Sequence, residues 1–322
     1  MRYRKLGRTN LEVSEIGFGA WGIGGGHWKG SQDDESVAAL RRAIELGVNF
    51  IDTALAYNDG HSEGLVSRVV KESGRQVYVA TKVPPQNELW PAVLGVGIDH
   101  VFPYDYVMAQ TERSLRHLGV ETLDLQQFHV WSPDWIDSDE WKRAMEDLKK
   151  QGKARFVGIS INDHQPDSAL EIIKTGLIDT VQVIYNIFDQ TPEINLFPLC
   201  QEKNIGVLAR VPLDEGGLSG TMNEHTRFEP GDFRAEYFRG DRPKQVAERV
   251  AALRADVAEV PGTVPEIALR YCISHPAVST VIPGMRKVRS VESSTSVSDL
   301  GPLPDSAWKK LKNHAWPRNF WN

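Results

Sequence analysis

Four side chains that can exchange protons stand at or just beyond the ends of apolar segments. Asp52 ends "NFID", Lys82 ends "VYVATK" and His129 ends "LDLQQFH", while Tyr57 follows Asp52 by five positions. A buried carboxylate is costly without a partner, so we expect Asp52 and Lys82 to form an ion pair. A lysine ammonium beside the Tyr57 phenol would lower the phenol pKa from its usual value of about 10. That phenol could then donate a proton to a carbonyl oxygen, with His129 orienting the carbonyl or sharing the proton.

The same lysine has a second possible chemistry. A neutral Lys82 amine in an apolar pocket could attack a carbonyl compound and form a Schiff base, as in barrel lyases. Asp52 beside it favours the charged ammonium, which is not a nucleophile. The pattern therefore favours proton transfer, and borohydride trapping with a carbonyl compound would detect the alternative.

Strand-like and helix-like segments alternate along almost the whole chain, and this order predicts the elements that must position these residues. We expect helices over about Asp33–Leu46 and Ser62–Glu72, two more over about Pro243–Glu259 and Pro265–Ser274, and a last one near Asp305–His314. The eight expected strands are "VSEIGFG", "VNFID", "QVYVATK", "LDLQQFH", "ARFVGIS", "TVQVIYN", "IGVLARVPL" and "VSTVIPG".

Eight strands, each followed by a helix, predict an α/β fold of the (β/α)8 TIM barrel type. The segments around "RTNLE" predict an N-terminal β-hairpin, and a polar stretch from Asp214 to Arg242 predicts a long loop at the C-terminal face of the barrel. An open doubly wound sheet is the competitor, but "GIGGGHWKG" lacks the strand–turn–helix context of a dinucleotide-binding fingerprint. We expect residues 1–322 to form a single domain.

Composition excludes several classes of protein. The chain has 322 residues and a net charge of −6, which argues against a nucleic-acid partner. The N-terminus lacks the apolar core of a signal peptide, and no segment is long and apolar enough for a membrane span. Cys200 and Cys272 give neither a disulfide framework nor metal-ligand spacing. We therefore expect a cytoplasmic protein with no metal site, whose oligomeric state the sequence leaves open.

Taken together, the motifs resemble the aldo-keto reductase superfamily. The resemblance rests on "IGFGAW", "FIDTALAYNDGHSE", "VATK", "LDLQQFH", "GISIND", "VQVIYN", "PLDEGGLSG" and "VIPGMRK", which span nearly the whole chain. It implies Asp52, Tyr57, Lys82 and His129 as a catalytic tetrad, with Tyr57 as general acid/base. It also implies an oxidoreductase that reduces aldehydes or ketones to alcohols with NADPH, bound without a Rossmann fold. The alternative is a sensor barrel that binds NADPH and turns over little.

The resemblance also implies which residues contact the cofactor. Ser160, Asn162 and Gln182 would lie near the nicotinamide carboxamide, and Arg286 would bind the adenosine 2′-phosphate. Arg210 stands where the family has an aromatic residue under the nicotinamide, and its guanidinium could stack on that ring. The remaining expected contacts are Gly19, Ala20, Trp21, Asp52, Val211, Pro212, Leu213, Gly217, Ser219, Ile282, Pro283, Gly284, Met285, Ser290 and Ser294.

Substrate recognition is expected from aromatic residues in loops that follow strands, since these fall outside core periodicity. We expect Trp21, Tyr57, Trp90, His129 and Trp131 to line the substrate pocket, and Trp28 is a further candidate. The C-terminal stretch "WPRNFWN" either packs on the barrel or forms part of a substrate flap. The sequence does not identify the physiological carbonyl compound or the preferred direction of the reaction.

Overall fold

The chain folds into a closed barrel of parallel strands, in a computed structural model that describes residues 1–26 and 30–320. Within those residues a two-stranded hairpin precedes eight barrel strands, each paired in parallel with its neighbours in the chain. Parallel bridges from Ile16 to Val281 and from Gly19 to Gly284 close the barrel, which confirms the predicted fold class. The hairpin strands are β1 (Tyr3–Lys5) and β2 (Glu12–Ser14), and the barrel strands are β3 (Phe18–Gly19), β4 (Phe50–Asp52), β5 (Tyr78–Val83), β6 (Leu123–Phe128), β7 (Ala154–Ser160), β8 (Thr180–Ile184), β9 (Gly206–Arg210) and β10 (Thr280–Val281).

Helices surround the strands, and two of them were not predicted. One is short and lies in the loop after β9; the other follows β10, where "VRSVESSTSVSDL" is rich in the poor helix formers Ser, Thr and Val. The second forms because it buries Val291 and Val297 where it packs against the first and ninth helices. The helices are α1 (Asp33–Glu45), α2 (His61–Ser73), α3 (Tyr104–Leu118), α4 (Asp139–Lys150), α5 (Leu170–Thr175), α6 (Leu196–Lys203), α7 (Phe233–Tyr237), α8 (Arg242–Asp256), α9 (Val264–Ser274), α10 (Val288–Leu300) and α11 (Asp305–Leu311).

One end of the barrel interior is filled with apolar side chains. Inward-facing residues of four strands and Ile282, directly after β10, form a cluster with three residues of the N-terminal hairpin, which closes the barrel at the end where its strands begin. Polar chemistry is therefore confined to the opposite end, where the strands finish. The cluster consists of Leu6, Leu11, Val13, Phe50, Ala80, Leu125, Leu208 and Ile282.

The C-terminal segment packs on the barrel and reaches the loop after β9. Arg318 Nη2 lies 2.5 Å from Asp214 Oδ2, and the backbone nitrogen of Trp316 donates to the carbonyl of Phe188. Arg242 Nη1 donates to the carbonyl of Phe320 at 2.7 Å. These contacts connect the tail to the loops after β8 and β9 and to α8. The tail therefore helps to hold the long loop over the barrel.

No helix in the described part of the chain combines the length and apolar character that a bilayer span requires.

Candidate active site

The end of β5 brings three of the expected catalytic residues together. Lys82 Nζ donates to Asp52 Oδ2 at 2.7 Å, to the Thr53 carbonyl at 2.7 Å and to Tyr57 Oη at 3.2 Å. The Lys82 side chain is completely buried. Since an ammonium has three protons, these acceptors use all of them and leave it a single orientation. Lys82 is therefore held between the Asp52 carboxylate and the Tyr57 phenol.

The second oxygen of Asp52 has a partner from across the barrel. Gln182 Nε2 donates to Asp52 Oδ1 at 2.7 Å, so this amide from β8 crosses the interior to β4. The carboxylate thus accepts bonds on both oxygens, which compensates the cost of burying it. We expected Gln182 beside the cofactor carboxamide, and its Nε2 is already bonded to Asp52. Its Oε1 has no partner among the described residues.

Aromatic rings surround the Tyr57 phenol. The ring centroids of Tyr57 and His129 lie 5.6 Å apart, and Trp90 packs edge-on against His129 at 4.4 Å. Trp21 lies 6.3 Å from Tyr57 and 4.8 Å from Phe233. Phe233 was missed in the sequence because it begins α7, in a stretch that we expected to be a polar loop. The "GDF" segment, an N-cap aspartate before an aromatic residue, is the signal that could have indicated it.

Burial decides the protonation states of the site. It raises the pKa of Tyr57 above 10.0, and the Lys82 ammonium opposes this only in part. Our expectation of a lowered phenol pKa is therefore wrong, because it omitted the cost of a buried phenolate. Burial, followed by the charges of Lys82 and Arg210, lowers the pKa of His129 well below 6.5. Burial alone would lower the pKa of Lys82, but Asp52 and then Tyr57 raise it overall. Near neutral pH the site holds a neutral phenol, a neutral imidazole and a charged ammonium.

Arg210 pairs with a carboxylate from the loop after β7. Its Nη2 donates to the Ile161 carbonyl at 2.8 Å and to Asp163 Oδ1 at 2.6 Å. Its Nε is buried and makes no hydrogen bond within residues 1–26 and 30–320. The sequence indicated a cation at this position but gave no sign of its partner, because Asp163 is 47 residues away.

Asn162 is occupied by the loop that carries Trp90. Its Oδ1 accepts from the Ala92 nitrogen at 3.2 Å, and its Nδ2 donates to the Ala92 carbonyl at 3.1 Å and to Gln165 Oε1 at 3.2 Å. Among the described residues no hydrogen bond joins this amide to Ser160, the neighbouring expected carboxamide contact. Ser160 makes no side-chain hydrogen bond with any residue of the described chain.

Asn162→Ala tests the two roles. We expect the free energy of unfolding to fall by about 1–2 kcal/mol, because the substitution removes hydrogen bonds from a partly buried loop. The dissociation constant of NADPH should change by less than about twofold, because the Asn162 amide makes its hydrogen bonds to other protein groups. Urea denaturation and fluorescence titration measure the two quantities. Unchanged stability with strongly weakened NADPH binding would assign Asn162 to the cofactor instead.

Trp131, in the loop after β6, is buried among other tryptophans. Its side chain is buried, its ring is 5.6 Å from Trp135 and 5.4 Å from Trp141, and its Nε1 donates to the Ser168 carbonyl. The structure thus places this expected substrate residue in the aromatic core between strands and helices. Trp28 lies outside the described residues.

A second polar cluster lies beyond β10. Arg286 packs against the backbone of Gly22, where an added Cβ would be 2.9 Å from Arg286 Cδ. Burial, and then the like charge of Arg234, lowers the pKa of Arg286. Arg234 also forms a two-point ion pair with Asp232, at 2.9 and 2.7 Å. The negative charges of Asp232 and Glu35 act on Arg286 in the opposite sense, so the region holds charges of both signs.

The other expected cofactor residues fall into three segments around the mouth. Gly19 ends β3 and Ala20 follows it, and the backbone nitrogen of Ala20 donates to the Asp52 carbonyl. Met285 and Ile282 direct buried side chains into the protein, so only their backbone groups can face a ligand. The Val211, Pro212, Leu213, Gly217 and Ser219 positions lie in the segment after β9, Pro283 and Gly284 follow β10, and Ser290 and Ser294 belong to α10.

Comparison with known proteins gives a consistent result. A profile described as "Aldo/keto reductase family" matches residues 15–315. "Aldo-keto reductase YhdN" of Bacillus subtilis is 29% identical over 307 residues, which cover 92% of this chain and 89% of that protein. "NADH-specific methylglyoxal reductase" of Escherichia coli is 28% identical over 311 residues, with 93% and 94% coverage. The structure of an aldo-keto reductase from Klebsiella pneumoniae in complex with NADPH superposes with a TM-score of 0.71, at 25% identity and 98% and 96% coverage.

Proposed function

The chain belongs to the aldo/keto reductase family, and from this premise we propose that it reduces a small aldehyde or ketone with NADPH, using Tyr57 as the general acid. Membership makes the chain an NAD(P)H-dependent oxidoreductase. The observation that supports the assignment of Tyr57 is the placement of Lys82 Nζ, 2.7 Å from Asp52 and 3.2 Å from the phenol oxygen. A buried ion pair is weak evidence of stability, so a functional reason for this arrangement is preferred.

The protein's own residues account for the proton transfer. Tyr57 keeps its proton at neutral pH and can donate it to the carbonyl oxygen as negative charge develops there. Lys82, held by Asp52, then stabilises the phenolate that remains. A neutral His129 beside the phenol can orient the carbonyl, while Tyr57 remains the group that donates the proton. NADPH, when bound, supplies the hydride to the carbonyl carbon.

The residues around the mouth fit this cofactor. The Ser160 hydroxyl and Gln182 Oε1 have no partner among the described residues and can bind a carboxamide. The half-buried Arg286 guanidinium, which packs against Gly22 in the loop after β3, fits the dianionic 2′-phosphate of NADPH. The E. coli relative is named for NADH. In this chain we expect Arg286 to favour NADPH.

The aromatic pocket indicates the kind of carbonyl compound. Trp21, Trp90 and Phe233 present flat apolar surfaces near Tyr57 and His129. Trp90 is 47% exposed and can be covered by a ligand. We therefore expect aromatic or other apolar aldehydes and ketones to be better substrates than polar sugars.

A substrate panel tests the proposal. Consumption of NADPH should be measured with aromatic aldehydes, aliphatic ketones and open-chain sugars, with the alcohol product identified by chromatography. Turnover of at least one carbonyl class supports the assignment. Tight NADPH binding without turnover across the panel would favour a sensor barrel, and absence of NADPH binding would reject both readings.

A further inference from the structure

We infer that the ion pair between Arg210 and Asp163 sets the relative affinity of the site for the oxidised and reduced forms of the nicotinamide ring. This inference rests on the proposed function, because it requires that a nicotinamide ring lies beside Tyr57. It concerns the preference between two redox forms of one cofactor, which none of the catalytic assignments above determines.

The position of Arg210 follows from the strand pairing. Leu208 belongs to the cluster inside the barrel, and side chains two residues apart on a strand share a face, so Arg210 also faces the interior. In the register between β8 and β9, Leu208 is opposite Gln182 and Arg210 is opposite Ile184. Gln182 contacts Asp52 directly. Leu208 is therefore level with the Asp52 carboxylate, and Arg210 is the next inward-facing residue of β9 toward the mouth of the barrel.

The chemistry of the reaction restricts the position of the ring. The carbonyl oxygen must lie within hydrogen-bond reach of Tyr57 Oη, and the ring must approach the adjacent carbon to about 3–3.5 Å. A nicotinamide in that position lies within several ångströms of the phenol. The positive charge of Arg210 reaches the same place, since it acts on both Tyr57 and His129. The ring therefore experiences the charge of Arg210.

The two redox forms differ in charge at this point. The ring is uncharged in NADPH and carries one positive charge in NADP⁺, so an isolated Arg210 would disfavour the oxidised form. Asp163, 2.6 Å from Arg210 Nη2, opposes that effect. The pair is held in place because the same Nη2 also donates to the Ile161 carbonyl at 2.8 Å. The ratio of the NADP⁺ and NADPH dissociation constants of the wild-type protein should thus depend on both Arg210 and Asp163.

Glu215 is a third charged group near the pair. Burial, followed by the negative charge of Asp163, raises the pKa of Glu215 to about 8. Arg210 lowers this pKa, and Asp214 and Arg234 are the other charged groups that act on it. Asp163→Asn removes one of the charges that raise this pKa, so the ratio should be measured at two pH values well below 8, where this carboxyl stays protonated in every variant.

The experiment measures the dissociation constants of NADPH and NADP⁺ separately, by fluorescence titration and by calorimetry, without substrate. Arg210→Met removes the positive charge while the negative charge of Asp163 remains, and it should lower the ratio Kd(NADP⁺)/Kd(NADPH) by about tenfold, the effect of a unit charge about 10 Å away at an effective dielectric constant of about 20. Asp163→Asn leaves Arg210 unpaired and should raise the ratio by a similar factor. A tenfold change corresponds to about 30 mV in the midpoint potential of the bound two-electron couple.

Three controls separate charge from structure. Arg210→Lys keeps the charge and should leave the ratio near the wild-type value, and so should the double variant Arg210→Met/Asp163→Asn. Arg155→Met and Asp124→Asn break a pair of similar geometry, 2.8 Å long, at the opposite end of the barrel and should not change the ratio. A loss of affinity for both forms by the same factor would reflect distortion alone.

The outcomes are distinguishable from those that test the proposed function. If wild-type protein bound neither NADPH nor NADP⁺, the proposed function itself would fail. If it bound both and the ratio stayed constant in Arg210→Met and Asp163→Asn, the inference would be rejected and the proposed function would stand. Shifts of the same sign in both variants would also reject it, because the two substitutions change the local charge in opposite directions.

Discussion

Tyr57→Phe is expected to lower kcat for carbonyl reduction by about 10²–10⁴, the usual loss when a positioned general acid is removed. The substitution deletes one oxygen, the acceptor of the 3.2 Å bond from Lys82 Nζ. Lys82 keeps its bonds to Asp52 and to the Thr53 carbonyl, so the ion pair should persist. Steady-state kinetics with the best substrate of the panel measures the loss, and a titration should give an NADPH dissociation constant within several-fold of the wild-type value.

The matched control for this prediction is another tyrosine. Tyr106 lies on α3, outside the site, and Tyr106→Phe removes the same atom with no expected change in kcat. Near wild-type turnover of Tyr57→Phe would remove the phenol from the mechanism. The proton donor would then have to be sought between Lys82 and His129, the other proton-carrying groups beside the phenol.

Arg286→Ala is expected to weaken NADPH binding by about ten- to hundredfold and to leave NADH binding almost unchanged. The factor corresponds to a charge-assisted hydrogen bond of about 1.5–3 kcal/mol to the 2′-phosphate. NADH has a hydroxyl group at that position and gains little from a guanidinium. Arg286 packs against Gly22, in the segment after β3 that borders the mouth of the barrel, so it is placed to reach a bound cofactor. Fluorescence quenching titrations with both cofactors measure the difference.

Two neighbouring cations serve as comparisons for Arg286. Arg289 is exposed at the start of α10, so Arg289→Ala should weaken NADPH binding much less. Lys287 Nζ lies 3.5 Å from Glu35 Oε2. This exposed ion pair already offsets part of the Lys287 charge. Equal losses for NADH and NADPH in Arg286→Ala would show that the residue supports the shape of the site and does not bind the phosphate.

The sequence by itself determined the barrel and the members of the polar cluster at its mouth. Strand and helix periodicity is local, so the alternation of elements could be read without tertiary contacts. Strands in a barrel of this kind all finish at one end, so Asp52, Lys82 and His129 had to meet there. Helix α10 was not predicted from the sequence, because its formation depends on burial against α1 and α9 more than on helix propensity.

Only the tertiary structure decided what each polar group contacts. Asp163 as partner of Arg210, Ala92 as partner of Asn162 and Gln182 as partner of Asp52 are separated by 47, 70 and 130 residues. Such contacts depend on loop paths and side-chain directions, which no periodicity encodes. The pKa of Tyr57 depends on the same information: the sequence indicated the lysine beside it, but the burial that outweighs the lysine is a property of the folded surroundings as a whole.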